Sequence, residues 1–199
     1  IAAGAAPVLE AIEKALAASG RADEFIVEQT GCVGMCQYEP IVEVYDELGR
    51  TTYVKMDADK AAAVVSGHLL AGEIVTEFTI GAANGEGVTN LADTQFYKPQ
   101  MRVALRNCGF INPEDIDEYI AQDGYQALAK VLQTMAPADV ISTMLESGLR
   151  GRGGAGFPTG RKWAFCKSTK SEIKYVCCNA DEGDPGAFMD RSCMEGDPH

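Results

Sequence analysis

Apolar residues recur every three or four positions in two stretches of the amino-terminal third of the chain. This spacing predicts one helix over residues 7–18, which ends near Gly20, and a second helix over residues 57–70. Asp57 is suited to cap the second helix, because its carboxylate can accept a hydrogen bond from a free backbone N–H of the first turn. The predicted buried faces comprise Val8, Leu9, Ile12 and Leu16 in the first helix and Ala62, Val65 and Leu69 in the second.

Runs rich in β-branched and aromatic residues lie between these helices. They predict strands at residues 25–29, 41–45 and 51–55, and the turn residues 46–49 predict a hairpin between the last two strands. The result is a small α+β unit over residues 1–72. Residues 73–94 carry weak periodicity and several glycines, so they are interpreted as a linker.

The second half of the chain is predicted to begin with helices and to continue into a strand. Asn112 and Pro113 are typical of the start of a helix, which we expect to bury Ile116, Tyr119 and Ile120. Further helices are expected at residues 125–134 and 137–147, and a short buried strand at residues 174–178. The apolar stripe of the 125–134 helix comprises Leu128, Val131 and Leu132.

Composition narrows the class of function. The 199 residues carry a formal net charge of −12, which argues against nucleic acid or an anionic membrane surface as a partner. No apolar run approaches the roughly 18 residues of a membrane span, so we expect no direct membrane insertion and a cytoplasmic location. Seven cysteines and only two histidines favour thiol or iron–sulfur chemistry over histidine-based acid–base catalysis.

One glycine-rich, basic stretch stands out from the acidic chain. Residues 148–163 contain six glycines, three arginines and a lysine, which suits a backbone cradle for a phosphate or a flat ring. A dinucleotide fingerprint needs a preceding strand, whereas a helix is predicted here, and a P-loop needs a hydroxyl residue after its lysine. A mobile surface loop is the alternative, but Phe157, Pro158 and Trp163 are unusual in such loops.

A second polar cluster, residues 179–186, follows the predicted strand at 174–178. Carboxylates and an amide at the carboxyl end of a strand suit ligand hydroxyl and imide N–H groups. Calcium is the competing interpretation, although the cluster lacks the alternating ligands of an EF-hand loop.

Together, residues 148–163, residues 179–186, Asp190, Arg191 and residues 195–199 closely resemble a known family. It comprises the NADH-oxidising, FMN-binding flavoprotein subunit of respiratory complex I and the diaphorase subunits of NAD-linked hydrogenases and formate dehydrogenases. The resemblance implies that residues 95–199 begin an α/β Rossmann-like FMN-binding domain whose carboxyl-terminal part, with a 4Fe-4S segment, is missing.

The resemblance also implies site residues. Those matching the flavin site are Gly151, Arg152, Gly153, Gly154, Lys162, Asn179, Asp181 and Glu182. Those matching the nicotinamide nucleotide site are Phe157, Phe165 and Asp184. The family often has Glu where this chain has Asp184, and the shorter side chain changes the hydrogen bond expected to the ribose. No catalytic side chain is implied.

Cys32 and Cys36 lie four positions apart in a glycine-bearing loop, so both thiolates can converge on one iron. The preceding helix, this loop and the hairpin resemble the thioredoxin-like 2Fe-2S ferredoxin domain. In that domain another cysteine pair precedes the first helix, which implies a missing amino-terminal part and two cluster ligands outside this chain. A surface thiol pair and a zinc half-site are the alternatives.

The fusion of a ferredoxin-like unit to a flavin unit is typical of soluble NAD-linked hydrogenases, including electron-bifurcating ones. The expected function is therefore a diaphorase subunit that passes hydride between NAD(H) and FMN and single electrons to iron–sulfur clusters. Expected partners are iron–sulfur subunits of a hydrogenase or dehydrogenase complex, NADH and ferredoxin. A subunit of formate dehydrogenase or complex I, and a non-catalytic iron–sulfur docking module, are the alternatives.

Overall fold

The computed structural model describes residues 4–199, which form two compact units. The first unit comprises residues 4–115 and 184–198, and the second comprises residues 116–183 and 199. The helices are α1 (Ala5–Ser19), α2 (Ala58–Val64), α3 (Ile80–Asn84), α4 (Ile116–Ala121), α5 (Gln126–Thr134), α6 (Pro137–Glu146), α7 (Thr159–Ser168) and α8 (Met189–Gly196). The strands are β1 (Val42–Asp46) and β2 (Gly49–Tyr53). No described helix is both long and apolar enough to cross a membrane.

Both helices predicted in the amino-terminal third are confirmed. Helix α1 ends at Gly20, which adopts φ +72°, a conformation that glycine reaches without a Cβ clash. Asp57 caps α2 by accepting a hydrogen bond from the Lys60 backbone N–H at 2.9 Å, and a π-helical turn over Val65–Leu69 continues α2. The buried alanine of α2 is Ala61 and not Ala62, which is exposed. The core of this unit comprises Val8, Ile12, Leu16, Val44, Tyr53, Met56, Ala61, Val64 and Val65.

The predicted hairpin is also confirmed. Strands β1 and β2 pair antiparallel, with Val42 opposite Tyr53 and Asp46 opposite Gly49. The Asp46 carboxylate accepts a hydrogen bond from the Leu48 backbone N–H at 2.9 Å, which stabilises the two-residue turn. This pair forms the only sheet in the described part of the chain, so the observed fold class is a mixed α/β arrangement.

The strand predicted at residues 25–29 is wrong. These residues adopt no regular structure, and Ile26 is 89% exposed. Only Phe25 packs against the core, because it follows the short turn Ala22–Glu24 back toward α1. A strand requires a neighbour to pair its backbone groups, and local composition does not reveal whether one is available.

The segment interpreted as a linker is packed against the hairpin. Ile80 and Leu91 are buried, the Val54 N–H donates to the Phe78 carbonyl at 3.0 Å, and the Leu91 N–H donates to the Thr52 hydroxyl at 3.0 Å. These contacts make residues 73–94 an ordered part of the first unit. The division into a domain at 1–72, a linker at 73–94 and a domain at 95–199 stays a prediction.

A hydrogen-bonded chain of polar side chains crosses the core of the first unit. The Tyr53 hydroxyl lies 2.8 Å from Nδ1 of His68, and Nε2 of His68 lies 2.8 Å from the Asp46 carboxylate. The Val75 N–H also donates to the Tyr53 hydroxyl at 3.1 Å. Burial raises the pKa of Tyr53, which keeps its phenol protonated. One hydroxyl therefore satisfies both a histidine and a backbone amide.

Replacing Tyr53 with phenylalanine is expected to lower the free energy of unfolding by about 2 kcal/mol, because two buried polar groups lose their partner. Urea unfolding of the two proteins measures the difference. Tyr45→Phe is the matched control, since Tyr45 is largely exposed and water can replace its hydrogen bonds. Equal stability of the Tyr53→Phe and Tyr45→Phe proteins would contradict the importance of this network.

The second unit contains helices α4–α7. Helices α5 and α6 confirm the predictions at 125–134 and 137–147, whereas α4 begins at Ile116, three residues later than the predicted first residue, Pro113. Asn112 instead forms a turn, in which its side-chain oxygen accepts a hydrogen bond from the Glu114 N–H at 3.0 Å. The predicted buried faces are exposed at Ile116, Ile120, Leu128 and Leu132.

The strand predicted at residues 174–178 is wrong as well. The segment has no regular structure, Tyr175 is 80% exposed, Val176 is fully exposed, and Cys177 and Cys178 are exposed. An apolar run becomes a buried strand only where other strands pair with it, and the described part of this unit contains no strand.

Candidate functional site

The glycine-rich stretch forms a loop between α6 and α7. An antiparallel bridge joins Arg150 to Pro158, and the Gly151 N–H donates to the Phe157 carbonyl at 2.9 Å. The Thr159 N–H donates to the Leu149 carbonyl at 2.9 Å. These bonds close the base of the loop and leave residues 152–156 as its tip.

Close packing of two helices supports the base of the loop. Gly160 in α7 is buried against α6, and a Cβ at this position would lie only 2.6 Å from the Leu145 backbone nitrogen. The absence of a side chain at Gly160 therefore allows the backbones of α6 and α7 to meet.

The tip of the loop is open. A Cβ at Gly153 or Gly154 would meet no atom within 4 Å, and one at Gly151 would first meet the Phe157 carbonyl oxygen at 3.7 Å. The backbone of these residues is therefore accessible to a flat or phosphorylated ligand, as the resemblance to the flavoprotein family requires. The residues present fit a bound FMN in this respect.

Two arginine side chains stabilise the loop by donating hydrogen bonds to its backbone carbonyls. The Arg150 Nε–H donates to the Gly156 carbonyl at 2.5 Å, and the Arg152 Nη1–H donates to the Arg150 carbonyl at 2.8 Å. Arg152, which the resemblance implies as a flavin-binding residue, thus forms a hydrogen bond within the loop itself. Lys162 is exposed on the first turn of α7, close in sequence to the loop.

Two aromatic side chains predicted for the nucleotide site are brought together. The rings of Phe157 and Phe165 lie 6.4 Å apart at 47°, and both are exposed. The Arg161 guanidinium lies 5.9 Å from the Phe165 ring centroid. An exposed aromatic pair beside a cation suits a planar, anionic ligand.

The polar cluster at 179–186 forms turns instead of extending from a strand. Asn179 accepts a hydrogen bond from the Asp181 N–H at 3.0 Å, and Glu182 adopts a positive φ of 44°. Asp184 is grouped with the first unit, whereas Asn179, Asp181 and Glu182 belong to the second.

Cys32 and Cys36 converge as predicted. Their Sγ atoms lie 3.9 Å apart, and two thiolates on one tetrahedral metal ion with bonds of about 2.3 Å are about 3.8 Å apart. The Gly34 N–H lies 3.3 Å from the Cys32 sulfur. The pair therefore fits one iron of a 2Fe-2S cluster, which would still need two more ligands for its second iron.

Glu39 is a residue of this site that sequence reasoning missed. Its carboxylate lies 3.0 Å from the Cys32 sulfur, and the donor atoms of Cys32, Cys36 and Glu39 all lie within 4.8 Å of one another. Burial, followed by the bond to Glu39, raises the pKa of Cys32 to about 12. A Glu before Pro40 is an ordinary turn sequence and did not indicate this contact.

Helix α8 packs against the cysteine loop. A Cβ at Gly31 would lie 2.2 Å from the Gly196 Cα, so the two backbones meet directly. Phe188, Arg191 and Glu195 line a small depression with Cys32 and Cys36. Cys32 is thus partly buried, whereas Cys36 is exposed.

Comparison with known proteins agrees with this geometry. Residues 144–199 match the model of the Nuo51 FMN-binding domain. The chain is 62% identical over 109 residues to the NADP-reducing hydrogenase subunit HndC of Solidesulfovibrio fructosivorans, an alignment that covers 55% of this chain and 22% of that protein. It is 50% identical over 97 residues to an F subunit of the NADH-quinone oxidoreductase of Rhizobium meliloti, covering 49% of this chain and 23% of that protein.

The F subunit of the Escherichia coli NADH-quinone oxidoreductase is 43% identical over 88 residues, covering 44% of this chain and 20% of that protein. The chain thus spans about a fifth of the length of the curated relatives that it matches. Residues 144–199 are thus similar to an FMN-binding domain, and between 44% and 55% of the chain is similar to F subunits of NADH-quinone oxidoreductases and to the hydrogenase subunit HndC.

Proposed function

We propose that the chain is part of a diaphorase-type oxidoreductase subunit, which passes hydride between NAD(H) and FMN and then single electrons to iron–sulfur clusters. The match of residues 144–199 to an FMN-binding domain carries this proposal. The open glycine tip at Gly153 and Gly154 supports it, because this tip leaves backbone atoms accessible where the family resemblance positions the flavin.

In this proposal the chain binds and orients FMN and the nicotinamide nucleotide. The flavin supplies the hydride and electron chemistry when bound. Gly151, Gly153 and Gly154 lie along the flavin, and Arg152 and Lys162 provide positive charge beside it. Electrostatic attraction from these cations favours a phosphate and a negatively charged ring. The turn residues Asn179, Asp181 and Glu182 offer hydrogen-bond acceptors to hydroxyl and imide groups.

Phe157 and Phe165 are proposed to pack against the nicotinamide nucleotide. Both rings are exposed and their centroids lie 6.4 Å apart, so they offer two aromatic surfaces to a ligand. Asp184 is proposed to form a hydrogen bond with the nucleotide ribose. Its side chain is one methylene shorter than the glutamate that the family often has at this position.

Residues 1–72 are proposed to be a thioredoxin-like 2Fe-2S domain, in which Cys32 and Cys36 bind one iron. The 3.9 Å separation of the two sulfurs supports this role. A 4Fe-4S cluster is proposed for the part of the flavoprotein beyond this chain, by analogy with the family.

Cys36→Ser is expected to reduce the iron content of the cluster-loaded protein by about tenfold or more, because a thiolate ligand is replaced by a poorly ionised hydroxyl. Iron and acid-labile sulfide analysis measures the loss. Cys166→Ser is the matched control, since Cys166 is exposed on α7. Unchanged iron in the Cys36→Ser protein would show that the cluster lies elsewhere.

We further propose that the assembly is an NAD-linked hydrogenase with iron–sulfur partner subunits, and that ferredoxin is a second electron partner. The 62% identity to a hydrogenase subunit supports the first part over a formate dehydrogenase or complex I.

An anaerobic absorption spectrum of the flavin-loaded protein, taken before and after NADH, tests the enzyme activity. Bleaching of bound FMN by NADH is the expected result. Protein that contains iron and sulfide but lacks stoichiometric flavin would instead be an electron-transfer and docking module.

A further inference from the structure

A basic cavity lies in the first unit. It has a volume of about 160 Å³. Arg50 of β2, Arg102, Tyr97 and Phe110 contribute its polar and aromatic walls, and Val33 and Leu91 contribute apolar wall. Val33 follows Cys32 in the cysteine loop, and the other residues lie outside the flavin, nucleotide and cysteine sites.

Two guanidinium groups share one aromatic ring in this cavity. The central carbon of Arg50 lies 4.9 Å from the centroid of Phe110, and that of Arg102 lies 5.6 Å from the same centroid. Arg102 also lies 5.5 Å from the Tyr97 ring centroid. Like charges repel each other, and an anion that lies near both guanidinium groups would offset this repulsion.

Only one of the two charges is neutralised by the protein. Arg50 donates through Nε and Nη2 to the Glu43 carboxylate at 2.6–3.0 Å, and both side chains are largely buried. Arg102 forms no ion pair with any described residue. Its one described hydrogen bond is a long one, from Nη1 to the Cys108 carbonyl at 3.4 Å. The cavity therefore keeps a net positive charge and unused N–H donors.

The walls of the cavity are held in place. The Tyr97 hydroxyl donates to the Val33 carbonyl, and Tyr97 and Val33 pack on a buried cluster that contains Ile80 and Leu91. Tyr97 and Val33 are thus fixed parts of the cavity wall, which reduces the entropy lost when a ligand is bound.

We propose that this cavity binds a phosphate group, through the free edge of Arg102 and the remaining Nη1–H of Arg50. A planar guanidinium matches the spacing of two phosphate oxygens, and a doubly charged oxyanion offsets the repulsion between the arginines better than a single carboxylate does. The group can come from free phosphate or from a nucleotide.

The full chain is titrated with inorganic phosphate, and separately with AMP, by calorimetry in about 150 mM NaCl, which screens weak surface binding. Saturable one-site binding is expected, and it is expected to weaken about tenfold in Arg102→Gln with partial recovery in Arg102→Lys. Arg106→Gln is the matched control, because it removes the same charge from an exposed position four residues away. Its affinity is expected to stay within twofold of the unaltered chain.

Tighter binding of AMP than of phosphate identifies a nucleotide as the source, and the reverse identifies the free anion. Three results would overturn the proposal: no saturable binding by the folded chain, equal weakening in Arg102→Gln and Arg106→Gln, or succinate binding as tight as that of phosphate. Circular dichroism of each variant confirms folding, and the Arg102→Lys protein remains informative if Arg102→Gln does not fold.

Discussion

Gly153→Val in the flavin-loaded protein is expected to lower flavin affinity by about 100-fold or more while leaving the melting temperature nearly unchanged. The position is open within the chain, since a Cβ there meets no atom within 4 Å, and its φ is not in the left-handed region. The valine side chain would therefore fit the protein and occupy space that the flavin is proposed to use. Fluorescence of released flavin and thermal unfolding measure the two effects.

Two further variants control this experiment. Gly153→Ala adds one methyl group and is expected to give a smaller loss, and Ala104→Val adds bulk to an exposed loop of the other unit and is expected to give none. Full flavin occupancy in Gly153→Val would contradict the assignment of this loop as the flavin cradle.

Gly160→Val is expected to have the opposite pattern, with a loss of stability of about 3 kcal/mol or more. A Cβ at this position would lie 2.6 Å from the Leu145 nitrogen and 2.8 Å from the Met144 carbonyl carbon, and these backbone atoms cannot move without separating α6 from α7. Denaturant unfolding, with hydrogen exchange of the α6 and α7 amides, measures the effect. Flavin affinity would fall only as the helix pair opens.

These two variants separate the two roles of glycine in residues 148–163, at the loop tip and in helix α7. If Gly160→Val were as stable as the unaltered protein, the close contact between α6 and α7 would be wrong. If both variants lost flavin and stability equally, the tip and the base of the loop would be a single structural unit.

Local signals predicted most of the helices. The apolar spacing of Val8, Ile12 and Leu16 and the cap at Asp57 each depend on residues within a few positions, and both appear in the structure. The hairpin at 42–53 was predicted for the same reason, because its turn and both strands are contiguous in sequence. Start positions were predicted less accurately, as the late start of α4 shows.

Strands that depend on distant partners were not predictable. Residues 25–29 and 174–178 have the composition of strands, yet neither adopts regular structure. The buried faces expected on α4 and α5 depend in the same way on what packs against them. Burial is a property of the whole fold, whereas propensity is a property of a short segment.

Chemical motifs were recognised from sequence in part. The glycine-rich loop and the Cys32–Cys36 pair were identified, and the family match over residues 144–199 confirms the flavoprotein resemblance. The predicted roles of the individual site residues stay predictions. The contact of Glu39 with Cys32 and the shared Phe110 ring of Arg50 and Arg102 had no sequence signal.

The sequence by itself determined the α1 and α2 helices, the hairpin and the resemblance to the flavoprotein family, because periodicity, caps and short motifs are local. Only the tertiary structure decided which polar groups meet. Tyr53, His68 and Asp46 come together across 22 positions, and Arg50 and Arg102 meet at Phe110 across an even longer stretch of chain. Such contacts depend on the packing of separate elements, and that packing reflects the free energy of the whole core rather than of any one segment.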